Sequence, residues 1–167
     1  MSTGLLIGSI VAAVFVVIAA ASAAAETAMT RISRARANGF DHEAHPGAAA
    51  LVEVLGERET TLAPLLLSRV AAHVGAITIV VTLVADRRGA GGIVIAAIGS
   101  AAALYIFAEA IPRIWALQHI DRAALRSARI LRALLRIAPL RALTRLLTAI
   151  GNIILPGPAG APVVSED

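Results

Sequence analysis

The sequence predicts an all-α membrane protein with three transmembrane helices and a following amphipathic helix. Of its 167 residues, 58% are hydrophobic and only 3% are aromatic, which is more apolar than an average soluble domain. Three apolar stretches each approach the roughly 20 residues that a helix needs to cross a hydrocarbon core of about 30 Å. They predict membrane helices at about residues 4–28, 61–85 and 91–111, within a transmembrane domain of residues 1–112.

The first apolar stretch is uninterrupted from Gly4 to Ala25. A cleaved signal peptide is the alternative, because Ala23 and Ala25 resemble a small-residue cleavage site. The N-terminal MSTG carries no basic residue and the stretch is long for a signal peptide, so a membrane helix is favoured. Small residues in the first and third stretches would allow close helix approach within the bundle or between subunits, although an alanine-rich helix need not have such a role.

The second stretch contains Arg69 and His73, and the third is closed by Pro112, which breaks helices. Only the sequence DRRGAG lies between the two stretches, and it predicts a tight turn.

The arginines predict the orientation of the chain. Arg31, Arg34, Arg36 and Arg58 lie between the first two spans, and eight more, from Arg113 to Arg145, follow the third, against two in the DRRGAG turn. The positive-inside rule therefore places the C-terminal side in the cytoplasm and the N-terminus outside.

The same distribution argues against nucleic-acid binding, because arginines that flank apolar spans are explained by membrane topology. All fifteen basic residues are arginine, and this usage indicates a bacterial source. Together with the three spans, it predicts a multi-pass protein of the bacterial plasma membrane. The absence of cysteine excludes disulfides and thiol catalysis.

The segment after the first span reads as a loop, a turn at His45-Pro46-Gly47, and a short amphipathic helix that ends near Gly56. Four polar residues of this segment could be read as a metal cluster: Asp41, His42, Glu43 and His45. Their spacing matches no strong ligand pattern, so solvated side chains in a cytoplasmic loop are the favoured interpretation.

Residues 113–150 contain a predicted juxtamembrane amphipathic helix, bent near Pro139. Its arginines recur every three or four residues, at Arg122, Arg126, Arg129, Arg132 and Arg136 among others. Such a helix is expected on the membrane surface, where the arginines contact anionic lipids or an acidic cytoplasmic partner. Residues 151–167 form a proline- and glycine-rich linker, expected to lead to a further cytoplasmic region.

A polar site is predicted where the third span meets Pro112. Because proline has no N–H, the carbonyl of Ala108 loses its usual helical partner, and the carboxylate of Glu109 stands beside it. Such oxygens are the ligands that Mg²⁺ or Ca²⁺ prefers. Residues of the other two spans that could join the site are Ser22, Glu26, Ser68, Arg69 and His73. The alternative needs no metal: an ion pair of Arg69 with Glu109 or Glu26.

At these residues the sequence resembles the transmembrane domain of CNNM/CorC magnesium transporters, the hemolysin C-like membrane proteins. AAAETAMTRISRAR is similar to the family's motif at the end of the first helix, and IFAEAIPRIWAL to its F-G-E-x-x-P-K-x-x-A segment. The arginine-rich helix resembles the family's juxtamembrane helix. The resemblance covers nearly the whole chain, and the E-x-x-P segment is its most specific part.

The resemblance implies a homodimer with three membrane helices per subunit and a cytoplasmic pair of CBS domains after the linker. It also implies one Mg²⁺ held midway by serine, asparagine, glutamate and backbone oxygens. The family's glutamate falls on Glu109 and its preceding glycine on Ala108.

Other positions depart from the family's ligand set. An asparagine of the second helix falls on Arg69, with Ser68 at the neighbouring glycine, and a later asparagine falls on His73. The family's serines fall on alanines, which leaves Ser22 displaced by one position. The resemblance therefore implies a site with fewer ligands and an added positive charge.

The function expected from these residues is transport of Mg²⁺ or another divalent cation across the plasma membrane. The alternative is a non-transporting scaffold or regulator in which Arg69 replaces the bound cation. An intramembrane enzyme is not expected, because the sequence contains no HExxH motif and no Ser/His pair at helical spacing.

The predicted orientation can be tested by cysteine labelling, since the chain has no native cysteine. A cysteine at Asn38 should react with an impermeant thiol reagent only after the membrane is opened, because the positive-inside rule places this segment in the cytoplasm. Labelling from outside intact cells would contradict this topology.

Overall fold

The described residues, 3–56 and 58–135, are almost entirely helical in the structure, which is a computed structural model. Side chains are described over the same ranges except at 58–61, 86–90 and 134–135. In chain order the helices are α1 (Thr3–Arg31), α2 (Arg34–His42), α3 (Ala48–Gly56), α4 (Arg58–Leu104), a π-helix (Tyr105–Ala110), α5 (Ile111–Gln118) and α6 (Ile120–Leu135). The predicted all-α class is confirmed.

Three segments are long and apolar enough to cross a membrane: Thr3–Arg31, Leu62–Ala85 and Gly91–Gln118. They correspond to the three predicted spans. The third differs from its prediction, because the helical backbone continues beyond Pro112. Two features permit this: Pro112 lies in the first turn of α5, and the preceding π-helix bonds the Ile111 N–H to the Ile106 carbonyl, five residues earlier.

Helix α4 reverses direction, although helical structure is continuous from Arg58 to Leu104. A straight helix of this length would extend about 70 Å and would hold Arg69 and Glu109 about 60 Å apart. In the structure these two side chains are in contact, at 3.1 Å. The second and third spans therefore lie side by side.

Contacts with α1 locate the reversal. Gly8 lies against Leu83 and Gly75 against Phe15, so the first half of α4 runs antiparallel to α1. Leu104 and Ala108 then pack with Ala19, near the other end of α1. The chain turns between Leu83 and Leu104, a range that includes the predicted DRRGAG turn.

Small side chains hold the spans together. Ala19 of α1, Ala72 and Ala76 of α4, and Ala108 of the π-helix are all buried in one cluster, as expected where helix backbones approach closely. The small residues of the third span behave differently, since Gly99 and Ala103 are exposed. The close packing within the chain thus depends mainly on α1.

A second core joins the C-terminal end of α1 to α3 and α6. Helices α2, α3 and α6 together form what we call the end layer. Its buried residues include Ala28 and Met29 of α1, Leu51 of α3, and Ala124 and Ala128 of α6. The α6 residues Ala123, Ala124, Ala128 and Leu131 are therefore covered by protein, whereas Ile130 is exposed. The position of this helix on the membrane surface stays a prediction.

Helix α2 replaces most of the predicted loop. Its N-terminus is stabilised by Ser33, whose hydroxyl accepts a hydrogen bond from the Arg36 N–H at 3.2 Å. The turn that follows was predicted, and it places Gly47 at φ +99° with the α6 backbone so close that a Cβ would lie 2.9 Å from the Leu125 carbonyl. Helix α3 ends at Gly56, as predicted.

Two arginines of the predicted membrane-surface face hold α6 in the end layer. Arg129 donates to the Pro46 carbonyl at 2.7 Å, and Arg132 lies 3.6 Å from the Glu53 carboxylate. Arg122 and Arg126 are exposed and form no ion pair within the described residues, while Arg136 lies outside them. Only part of the predicted basic face therefore remains available to an external partner.

The first residues of α6 are anchored by a two-point ion pair. Arg36 donates through Nε to Asp121 Oδ1 at 2.7 Å and through Nη2 to Oδ2 at 2.5 Å. These hydrogen bonds hold the pKa of Asp121 below its ordinary value. The pair ties α2 directly to α6.

Enlarging Gly75 should disrupt the packing of α1 on α4, because a Cβ there would lie 2.9 Å from the Phe15 ring. We expect Gly75→Leu to lower the free energy of unfolding in detergent by about 1–3 kcal/mol. Gly99→Leu is the matched control, because nothing lies within 4 Å of a Cβ at Gly99. Equal destabilisation by the two changes would show that the close approach at Gly75 is unimportant.

Candidate functional site

Four charged side chains meet where the three spans pack together. Glu26 comes from α1, Arg69 from α4, Glu109 from the π-helix and Arg113 from α5. We refer to these four residues as the charge cluster. Two carboxylates and two guanidinium groups give it no net formal charge.

Arg69 contacts both carboxylates. Its Nη1 atom donates to Glu26 Oε2, and its Nε atom lies 3.1 Å from Glu109 Oε1. One guanidinium therefore bridges the first and third spans from the second. A planar group with several donors is suited to this role, whereas a lysine ammonium would present a single point charge.

Arg113 contacts the same two carboxylates from another position. Its Nε atom donates to Glu109 Oε2 at 2.8 Å, and its Nη2 atom lies 3.8 Å from Glu26 Oε2. Glu109 is thus bound on both oxygens, by a different arginine on each.

Burial differs between the two arginines. The exposed fraction of the side chain is 15% for Arg69 and 45% for Arg113, with 19% for Glu109 and 25% for Glu26. Ionised groups at such positions in a membrane protein are stable only when they are paired or hydrated. Arg69 is the inner charge of the cluster and Arg113 the outer one.

The backbone at Glu109 is unusual, because the residue lies in the π-helix. π-Helical turns inside α-helices are rare and frequently occur at functional sites. Ala108 is fully buried against α1 and α4, so the backbone of this turn is held firmly beside the charge cluster.

The other predicted site residues do not contact the carboxylates. Ser22 is buried and donates to the Ile18 carbonyl at 2.8 Å, and Ser68 donates to the Pro64 carbonyl at 2.8 Å. The Nδ1 atom of His73 bonds the Arg69 carbonyl at 2.8 Å. His73 is therefore not a partner of either glutamate.

The alternative metal cluster in the turn after α2 is not assembled either. Within the described ranges, no group of three or more potential metal-ligating His, Asp or Glu side chains occurs. Glu43 Oε2 bonds His45 Nε2 at 2.9 Å, with both side chains largely exposed. This exposed contact between Glu43 and His45 agrees with the prediction that the side chains of this segment are solvated.

The charge cluster lies nearer to the end layer than to the opposite end of the bundle. Glu26 is five residues from the end of α1, Arg69 seven from the start of its span and Glu109 nine from the end of the third, which correspond to about 8–14 Å of helix. Beyond the cluster, Trp115 stacks on His119 at 5.4 Å, and an aromatic side chain of this kind is typical of a membrane–water interface.

Sequence reasoning identified the ion pair of Arg69 with a glutamate but missed Arg113. The available signal was the spacing of four residues between Glu109 and Arg113, which brings opposite charges together on a helix. The π-helix and the simultaneous contact of Arg69 with both carboxylates gave no comparable local signal.

The fold and the charge cluster define a multi-pass helical membrane protein with ionisable groups buried among its spans. Comparison with protein families gives a match over residues 10–167 to the CNNM family, described as the cyclin M transmembrane N-terminal domain. The chain belongs to this family, which is associated with membrane transport of divalent cations, and the resemblance noted from the sequence is confirmed. The search of curated proteins found no match.

The contact between Arg69 and Glu109 predicts energetic coupling of the two side chains. Arg69→Gln and Glu109→Gln should each destabilise the protein in detergent, and the double variant should be more stable than the sum of the two losses predicts, by about 1–3 kcal/mol. If Arg69 extended to an interface away from Glu109, the two losses would simply add. Ser68→Ala is the control, because its hydroxyl bonds its own helix and its effect should add to that of Glu109→Gln.

Proposed function

We propose that this chain is the membrane domain of a divalent-cation transport protein with Mg²⁺ as its substrate. The cation binds between Glu26 and Glu109. The observation that supports this proposal is the contact of Arg69 with both carboxylates, because it shows that one positive group can lie between two glutamates from different spans. Carboxylate oxygens are preferred ligands of Mg²⁺, and the role needs no catalytic residue.

In this proposal, Glu26 supplies a second carboxylate beside that of Glu109. Ser22 lies one helical turn before Glu26, and its hydroxyl oxygen retains acceptor capacity while it donates to Ile18. The Ala108 carbonyl adjoins Glu109. These groups are the further oxygen ligands that we propose.

Mg²⁺ and Arg69 compete for the carboxylates. Two unit positive charges 4 Å apart repel by about 4 kcal/mol at an effective dielectric constant of about 20, and a divalent ion doubles this energy. Arg69 must therefore leave the carboxylates when the cation binds. The cation-free state is the one in which Arg69 neutralises them.

A second candidate function is a non-transporting membrane scaffold or regulator in which Arg69 occupies the position permanently. The observation that favours it is the full charge balance of the cluster, together with the low exposure of Arg69. Such a protein would keep the family fold and its partners without moving an ion.

The surroundings of the domain are lipid, a second copy of the chain and the cytoplasm. Large apolar side chains are exposed along the spans, including Val17, Ile95 and Phe107, and we propose that lipid and a second copy of the chain cover them. The end layer faces the bacterial cytoplasm, as the arginine distribution suggests, and a CBS region of the full-length protein follows it.

Replacing Arg69 by asparagine distinguishes the two functions. We predict that Arg69→Asn tightens Mg²⁺ binding by at least about tenfold, because it removes the competing charge and supplies an amide oxygen. The measurements are calorimetric titration in detergent and Mg²⁺ uptake by proteoliposomes.

Two comparisons complete this experiment. Glu109→Ala should abolish binding in both the wild-type and the Arg69→Asn backgrounds. If the wild type bound Mg²⁺ tightly and transported it, and Arg69→Asn changed neither property, Mg²⁺ and Arg69 would not compete for the carboxylates. If Arg69→Asn were folded and neither it nor the wild type bound Mg²⁺, the scaffold function would be supported.

A further inference from the structure

We infer that Arg113 is the outer gate of the carboxylate pair. It controls the rate at which a cation reaches Glu26 and Glu109, whereas Arg69 sets the affinity. This inference rests on the proposed function, because it takes the cation bound by the two carboxylates as the transported substrate.

The first observation is how the carboxylate oxygens are shared. Arg69 contacts Glu109 Oε1, whereas Arg113 contacts Oε2 of the same carboxylate. Both arginines approach Glu26 through its Oε2 atom, Arg69 in a hydrogen bond and Arg113 at 3.8 Å. The carboxylates are thus flanked by two separate positive groups.

The second observation is the difference in exposure. The exposed fraction of the side chain is 45% for Arg113 and 15% for Arg69, so Arg113 lies on the more accessible side of the charge cluster. An ion that approaches from that side meets Arg113 first and is repelled by its charge. Arg69 is the more buried of the two arginines, so its charge acts mainly on an ion that has reached the carboxylates.

The third observation is that Arg113 has room to leave. It is five residues from the end of the span at Gln118, about 8 Å of helix. A long arginine side chain at such a depth can extend to the interface while its stem remains against apolar surface. Its contact with Glu26 is also longer than a hydrogen bond. Opening at Arg113 therefore requires a change of side-chain rotamer that breaks its hydrogen bond to Glu109.

The test compares Arg113→Gln, Arg113→Lys and Arg69→Asn in the full chain. Initial rates of Mg²⁺ uptake are measured in proteoliposomes at subsaturating Mg²⁺, and affinities by calorimetry. Each Arg113 variant is also measured with Arg69→Asn, so that rates are available if the wild type is slow. Thermal unfolding in detergent checks that every variant is folded.

We expect Arg113→Gln to raise the initial uptake rate at least about threefold while the Kd changes by less than about threefold, since the charge is partly exposed and screened. Arg113→Lys keeps the charge and should retain the wild-type rate. Arg69→Asn should show the opposite pattern, with a large change in Kd.

A cysteine variant provides an independent measurement, because the chain has no other cysteine. Arg113→Cys should take up Mg²⁺ as fast as Arg113→Gln. A cationic thiol reagent should return the rate toward that of the wild type, and a neutral reagent of similar size should leave it high. This readout separates charge from packing and does not depend on the stability of the glutamine variant.

Three results would overturn the inference. They are an equal tightening of Kd by Arg113→Gln and Arg69→Asn, an unchanged uptake rate in Arg113→Gln, and a loss of uptake in Arg113→Gln that Arg113→Lys restores. In each case Mg²⁺ binding by the Glu109-dependent site would still support the proposed function. Absence of binding and uptake in every folded variant would instead refute the proposed function and the gate together.

Discussion

The contact of one guanidinium with two carboxylates is the interaction on which this bundle depends. Arg69 binds Glu26 of α1 and Glu109 of the π-helix, so it links all three spans at one point. Without a positive charge between them, two ionised carboxylates in a low-dielectric setting would repel each other. The small residues around Ala19 and Ala108 allow the helix approach that brings these groups within reach.

The charge cluster and the end layer share one helix. Glu26 lies on α1 within one turn of Ala28 and Met29, which are buried among α3 and α6. Helix α6 therefore packs on the part of α1 that adjoins Glu26. The Arg36–Asp121 pair fixes α6 to α2. Arg129 and Arg132, two arginines of the predicted membrane-surface face, also help to hold the layer in place.

Membership of the CNNM family gives the general class, a membrane domain associated with divalent-cation transport. The resemblance drawn from the sequence implies asparagine at the position of Arg69, so the two proposed functions differ in the role of this arginine. The difference between transporting and non-transporting functions then reduces to one physical question, whether Arg69 can leave its carboxylates. Its burial opposes departure, whereas the carboxylates would gain a more highly charged partner from a divalent ion.

The sequence by itself determined the three spans, the turn before α3 and the end of α3 at Gly56, because length, hydrophobicity and glycine or proline positions are local properties. It also placed Glu109, Glu26 and Arg69 near one another, as residues of one polar site. Only the tertiary structure decided that Arg69 binds both glutamates, that Arg113 contacts the same two carboxylates, and that α6 packs against α3 and α1. These features depend on which helix faces meet, and the same pattern of residues along one helix is compatible with several such arrangements. The π-helix at Glu109 is also a feature that only the tertiary structure decided. Its hydrogen bond from the Ile111 N–H to the Ile106 carbonyl depends on how the third span packs around Ala108 and passes Pro112.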